Sequence, residues 1–154
     1  MAARTLTYTV QMAAPPKGSH IGLNVLPFDC NSGATKFGTL SDVFLLGKIP
    51  NGALITDVDI RFGAQGTAAA HCALVLLGID AAGTYTTLAT LIGSMTASAT
   101  AAVFSSRVPT KLSLSDDRAI QYAVLALNVT TGGSETVSFS FQGVTKFLTD
   151  GTTL

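Results

Sequence analysis

The sequence predicts an all-β domain, an antiparallel sandwich or barrel, with an extended N-terminal arm in front of it. Short apolar or alternating segments recur throughout residues 41–149, turn-forming residues separate them, and no strong helical period lies between them. The main alternative concerns residues 86–103, where Leu88, Ile92 and Met95 would also suit one face of a short helix.

The first forty residues are predicted to be the arm. They have no sustained hydrophobic period beyond a short strand-like "RTLTYTV", and "AAPPKGSH" favours extended backbone. Their apolar side chains are nevertheless suited to burial on a sister subunit or on another protein: Leu23, Val25, Leu26, Phe28 and Phe37. We therefore expect deletion of residues 1–40 to weaken assembly and to leave the β-sheet intact. Residues 150–154 would form a C-terminal tail.

The segments of the domain differ in how they should be buried. "DVFLLGKI" (42–49) and "HCALVLLGI" (71–79) are apolar on both faces, so we expect both faces to be covered. "LITDVDIRF" (54–62) alternates instead, which predicts one buried face. That face would carry Leu54, Thr56, Val58, Ile60 and Phe62. Further strands are predicted in "TYTTLATLI" (84–92), "QYAVLALNV" (121–129) and "TVSFSFQGV" (136–144).

Pro50-Asn51-Gly52 is the clearest turn in the chain. Proline presets φ for the first turn position, asparagine tolerates the left-handed region, and glycine accepts positive φ without steric cost. The three residues predict a tight hairpin that joins 42–49 to 54–62, with positive φ at Gly52.

Charge content limits the classes of partner. The chain has 154 residues, 9 basic and 9 acidic side chains and a net charge of +0, so no basic patch indicates direct binding to nucleic acid. The longest stretch without charge, 81–106, is interrupted by Thr, Ser and Gly, so no membrane partner is expected. Charged residues make up 12%, against roughly 25% in ordinary soluble domains. This deficit predicts a homo-oligomer or a member of a larger assembly.

Few residues are candidates for chemistry, so we expect neither an enzyme nor a cofactor. His71 and Cys72 are adjacent in a strand, so their side chains point to opposite faces and cannot bind one metal together. Cys30 and Cys72 are interpreted as free thiols, which fits a reducing cytoplasm. "NVT" at 128–130 is interpreted as a strand end and turn.

Asp57 and Asp59 form the one carboxylate pair that needs weighing. They share one strand face at a spacing of about 6–7 Å, which could serve two-carboxylate chemistry or hold calcium. Arg61 continues the same face, so the favoured interpretation is a solvated or intersubunit row of ion pairs.

The segment "SDVFLLGKIPNGALITDVDIRFG" (41–63) resembles head decoration, or cement, proteins of tailed bacteriophages. The shared pattern consists of Asp42, Val43, Lys48, Pro50, Gly52, Ala53 and Asp57. "LLGIDAAGTY" (76–85) and the closing "TVSFSFQGVTKF" (136–147) are similar as well, so the resemblance covers roughly residues 41–147.

This resemblance implies a jelly-roll-like β-sandwich that forms homotrimers on the outside of an icosahedral shell. There it would clamp neighbouring major capsid protein subunits, after assembly in the host cytoplasm. The first alternative is a carbohydrate- or receptor-binding sandwich of a phage tail or head fibre, which the absence of Trp disfavours. The second is a shell-forming capsid protein, although residues 1–40 carry only Arg4, Lys17 and Lys36 as basic side chains.

Overall fold

Ten β-strands in two sheets make up the described part of the chain. The computed structural model describes residues 5–6, 22–36, 43–64, 70–114, 120–131 and 138–149. The strands are β1 (Thr5–Leu6), β2 (Gly22–Lys36), β3 (Val43–Ile49), β4 (Leu54–Phe62), β5 (Ala70–Asp80), β6 (Tyr85–Ala97), β7 (Ala102–Ser106), β8 (Thr110–Lys111), β9 (Ile120–Thr131) and β10 (Ser138–Thr149). Residues 86–103 lie within β6, β7 and the turn between them, so the alternative of a short helix there is wrong.

The two sheets follow simple strand orders. Sheet 1 has the order β1-β3-β9-β5-β6, and sheet 2 has the order β2-β10-β4-β7, with the short β8 also paired to β4. Every pairing between the described strands is antiparallel except that of β1 with β3, which is parallel. The prediction of an all-β antiparallel sandwich is therefore confirmed, and the barrel alternative is not what forms.

Apolar side chains from both sheets form the core between them. Sheet 1 contributes Phe44, Leu46, Cys72, Leu74, Leu76, Leu125 and Leu127, and sheet 2 contributes Ile55, Val58, Ile60, Phe62, Phe141 and Phe147. Phe141 lies at the aromatic centre, with its ring 5.5 Å from that of Phe44 at 89° and 6.1 Å from that of Phe62. Such tilted and edge-on ring contacts stabilise the fold by more than the burial of their apolar area alone.

Strand β5 is covered on both faces, as its apolar run predicts. Leu74 and Leu76 point into the core, whereas Val75 and Leu77 belong to a second buried cluster with Ala126 of β9. All five side chains are buried within this one chain. The two-sided burial of β5 therefore does not require a second copy of the protein.

Strand β2 corrects the prediction for part of the arm. Residues 22–36 pair with β10 as a strand of sheet 2, so the sandwich does not begin at residue 41. Leu26 and Phe28 are buried in the core of their own chain, at 6% and 2% exposure. Deleting residues 1–40 would thus remove β2, the two-residue strand β1 and two core side chains, not a separable arm. Pro27 conceals this strand in the sequence, but proline is tolerated at a sheet edge.

The other predicted contact residues are either exposed or outside the part of the chain that the structure describes. Val25 points away from the core and is exposed. The side chain of Leu23 and all of Phe37 lie outside the described residues, as do most of residues 1–21 and the tail 150–154. Their contacts with a partner stay a prediction.

The turn at Pro50-Asn51-Gly52 joins the two sheets and does not form a hairpin. Strand β3 pairs with β9 in sheet 1, whereas β4 pairs with β10 in sheet 2, so the predicted pairing of β3 with β4 is wrong. Gly52 has a φ of 79°, the positive value that its sequence predicts. Because β3 and β4 pair with strands of different sheets, the turn carries the chain across the core from sheet 1 to sheet 2.

Hydrogen bonds hold this turn against the chain after β8. Within the turn, the amide of Ala53 donates to the carbonyl of Pro50 at 3.2 Å. The amide of Gly52 donates to the carbonyl of Leu112 at 3.0 Å, and the amide of Leu112 donates to the carbonyl of Ala53 at 2.8 Å. The side-chain oxygen of Asn51 accepts from the amide of Leu114 at 2.9 Å. The turn is therefore a fixed corner of the sandwich.

A β-bulge in β4 changes which residues of that strand are buried. Asp57 lies opposite Lys146 and Ile55 lies opposite the next residue, Phe147, so Thr56 is the extra residue. Ile55 is consequently buried at 1% exposure, whereas Leu54 and Thr56 are only partly buried. The predicted alternation holds for Val58, Ile60 and Phe62 and is wrong for Leu54 and Thr56.

We expect Gly52→Val to lower the free energy of unfolding by at least about 1–2 kcal/mol, because a β-branched side chain is strained at positive φ. Urea denaturation measures this effect. Gly93→Val is the matched control, because the nearest atom to a Cβ at Gly93 is 3.7 Å away. Equal stability of the Gly52 variant and the wild type would contradict the left-handed conformation.

Thr145 is an exception in the core of sheet 2. It is fully buried on the inner face of β10, between Leu26 of β2 and Val58 of β4 in the strand register. Among the residues that the structure describes, none is a hydrogen-bond partner of its hydroxyl oxygen. A buried hydroxyl without a partner costs roughly 1–3 kcal/mol, since it has lost its hydrogen bonds to water.

We expect Thr145→Val to raise the free energy of unfolding by about 1 kcal/mol, because valine has the same shape and no polar atom to desolvate. Thermal unfolding followed by circular dichroism measures the change. Thr56→Val is the control, since the hydroxyl of Thr56 lies within hydrogen-bond distance of a carboxylate oxygen of Asp57 (3.3 Å) and the carbonyl of Lys146 (3.4 Å). Stabilisation by both substitutions, or by neither, would contradict the argument.

Candidate interaction surface

Three polar side chains and one valine form a row across the four strands on the outer face of sheet 2. Gln142 of β10 lies directly between Asp29 of β2 and Arg61 of β4. Val103 of β7 continues the row beyond Arg61. These side chains point outward because their strand neighbours point into the core, so opposite charges stand on the two sides of the central strand.

A groove runs over this part of the sheet. It has a volume of about 560 Å³, and Pro27, Val144 and Asp59, which form the next row of the register, also line it. Its lining combines apolar surface from Pro27, Val103 and Val144 with the charged groups of Asp29, Asp59 and Arg61. A groove of this composition suits a protein surface better than a single small ion.

Exposed apolar side chains are concentrated on the same face. Val25 is 52% exposed, Val103 is 65% exposed and Leu148 is 41% exposed. They lie on three different strands of sheet 2, so they flank the groove from several sides. Single exposed apolar residues are ordinary, but several on one face mark a candidate interaction surface.

Arg107 forms an ionic clamp beside the groove. Its guanidinium lies 3.1 Å from Asp57 and 2.8 Å from Asp59, and it also donates to the carbonyl of Val58 at 3.3 Å. The hydroxyl of Ser105 donates to the same oxygen of Asp59 at 2.7 Å. The clamp therefore ties the chain after β7 to the outer side of β4.

The clamp decides between the interpretations of the carboxylate pair. The hydrogen bond from Ser105, followed by that from Arg107, lowers the pKa of Asp59 below its ordinary value of 3.8. The two carboxylates form ion pairs with Arg107 of the same chain, which favours the ion-pair interpretation, whereas a contact of this face with another subunit stays a prediction. Among the residues that the structure describes, no group of three or more His, Cys, Asp and Glu side chains could hold a metal ion.

His71 and Cys72 point to opposite faces of β5, as their adjacency predicts. His71 is exposed, with its Nδ1 3.1 Å from the hydroxyl of Thr96. Cys72 is a fully buried free thiol, and its burial raises its pKa to about 12. The thiol therefore stays protonated and packs as a small apolar group.

Sequence reasoning singled out only part of this surface. It named Val25 as a contact residue and Asp57, Asp59 and Arg61 as one strand face, but it did not name Val103, Gln142 or Arg107. One signal for Arg107 was available, because this residue ends the longest uncharged stretch of the chain. No signal in the sequence places Asp29 near Arg61, because that proximity depends on the pairing of β10 with two distant strands.

Comparisons with known proteins give matches in structure alone. No protein-family model matches the chain, and no curated protein matches it in sequence.

No helix in the described ranges has the length and apolar character that crossing a membrane requires.

A chain in the structure of the capsid of Ralstonia phage GP4 has a similar fold, with a TM-score of 0.63 at 12% identity. The match covers 94% of this chain and 97% of that one. A chain of the cyanophage Pam1 capsid asymmetric unit matches with a TM-score of 0.46 and 13% identity over 91% and 94% of the two chains. A chain of infectious bursal disease virus, Gx strain, matches with a TM-score of 0.48 and 12% identity over 84% of this chain and 32% of that one. The first similarity establishes a sandwich of the kind found in capsid structures.

We expect Asp59→Asn to lower the free energy of unfolding near neutral pH by less than about 1 kcal/mol, because the clamp is solvent-exposed. Folding lowers the pKa of Asp59, so its charge stabilises the fold above pH 3.8, and this contribution is lost as the pH falls below that value. Urea denaturation at several pH values should show the difference between variant and wild type vanish in acid. Ser105→Ala should show a smaller effect of the same sign, and a constant difference at all pH values would contradict the assignment.

Proposed function

We propose that this protein is a virion structural protein that decorates the outer surface of a bacteriophage capsid. In this role it binds the major capsid protein as a homo-oligomer, a trimer in the form that the sequence resemblance implies. Each bound copy would stabilise the shell against the pressure of packaged DNA.

The observation that carries this proposal is the similarity to the chain from the capsid of Ralstonia phage GP4. The two folds correspond over 94% of this chain and 97% of that one. The correspondence therefore concerns a whole small sandwich and not one domain within a larger subunit. The resemblance of residues 41–147 to decoration proteins supports the same role from an independent direction, since it rests on sequence alone.

The chemistry of the surface supports a protein partner. The chain has a net charge of +0, and the outer face of sheet 2 combines exposed Val25 and Val103 with charges of both signs. Interfaces between proteins commonly join an apolar centre to a polar rim. A rigid sandwich bound across two capsid subunits would have to be released before they separate, so its binding free energy adds to the stability of the shell.

A binding experiment with capsid shells tests the proposal. Shells assembled from the major capsid protein of the parent phage, without other head proteins, are mixed with this protein and sedimented. We expect the protein to cosediment with saturation at a fixed ratio to the capsid protein, and to raise the temperature at which the shells break. Electron microscopy of the decorated shells should show added density outside the shell.

Two results would contradict the proposal. One is the absence of cosedimentation at micromolar concentration by protein that is folded according to its circular dichroism spectrum. The other is added density inside the shell. If the protein binds to a glycan array and does not bind to the shells, a carbohydrate- or receptor-binding module would be favoured instead.

A further inference from the structure

We propose that the outer face of sheet 2 is where copies of this protein contact one another, with Arg61 of one copy facing Asp29 of the next. The copies would be arranged around a rotation axis in front of β10 and parallel to that strand. The inference rests on the homo-oligomer in the proposed function, and it adds the surface and the residues that form it.

The strand register supplies the geometry. Asp29 and Arg61 flank Gln142 from opposite sides, which places them roughly 10 Å apart, two strand spacings of about 4.8 Å each. A rotation axis in front of β10 brings the β2 side of one copy against the β4 side of the next. Asp29 then faces Arg61 of the neighbour in a closed ring of two copies and equally in one of three.

Some charged side chains in and beside the groove form ion pairs within the chain, and others do not. Asp57 and Asp59 are engaged by Arg107 on the outer side of β4. Asp29 and Arg61 are both exposed, and neither forms an ion pair with another described residue. Of the charged residues that line the groove, the two without an ion pair are therefore opposite in sign and lie on opposite flanks, and Lys146 of β10 lies outside this lining. The lining is thus complementary to a copy of itself.

Apolar contact would supply most of the affinity of this interface. Val103 lies next to Arg61 in the register, and Val25 lies on β2 together with Asp29. Both valines are more than half exposed in the single chain, so a neighbour on this face would remove them from water. The charged pair would then set the register and the choice of partner, as charges at protein interfaces generally do.

A charge-exchange experiment tests the contact. The wild type is compared by analytical ultracentrifugation with Asp29→Arg, with Arg61→Glu and with the double variant that carries both substitutions. We expect each single variant to associate at least about tenfold more weakly, since like charges then face each other, and the double variant to regain the mass of the wild type. Both side chains are exposed, so all variants should keep the circular dichroism spectrum and unfolding temperature of the wild type.

Lys48→Glu is the matched control. It reverses one charge, as Arg61→Glu does, but it lies on sheet 1, where Lys48 stacks 4.3 Å from the ring centre of Tyr122. The control should keep the wild-type mass. A loss of association in the control as large as in the Arg61 variant would overturn the assignment to sheet 2.

The remaining outcomes separate this inference from the proposed function. An oligomer of unchanged mass in both single variants overturns the contact and leaves the proposed oligomer standing. Unchanged mass together with lost cosedimentation on shells also overturns it, because the face then belongs to the capsid contact. A wild type that stays monomeric at micromolar concentration overturns the inference, while shell binding is still decided by the cosedimentation experiment.

Discussion

The close approach of Phe28 to Gly143 is the constraint on which sheet 2 depends. A Cβ at Gly143 would lie 2.5 Å from the ring of Phe28 and would also meet the carbonyl oxygen of Asp59. Only glycine leaves space for the ring at this point of the central strand, so β2 can pair with β10 while Phe28 remains in the core. The pairing of β10 with β2 and β4 determines the inner core and the outer groove together.

Burial and charge are separated between the two sides of β4. Val58, Ile60 and Phe62 face the core, whereas Asp57 and Asp59 on the other side of the strand form ion pairs with Arg107. The exposed clamp contributes less than the core does, since exposed ion pairs are worth about 0–1 kcal/mol and a buried aliphatic or aromatic side chain about 1.5–3 kcal/mol. The clamp matters more for position, because it holds the segment after β7 beside the groove.

The low charge content of the chain has two physical origins. Part of it reflects burial inside the single chain, because β5 is covered on both faces by its own protein. The other part reflects an outer face of sheet 2 where valines and a leucine stay exposed between a few charges. Burial in an assembly would account for the second part only, and that part therefore bears on the proposed function.

The secondary structure class, the two-sided burial of β5 and the positive φ of Gly52 could be predicted from the sequence, because they follow from local periodicity and from single-residue sterics. Tertiary structure alone decided that β3 and β4 belong to different sheets and that β2 is part of the sandwich. It also brought Asp29, Gln142 and Arg61 into one row. These features arise from pairing between strands that are far apart in the chain, and a hydrophobic pattern specifies which face is buried without specifying which strand lies alongside.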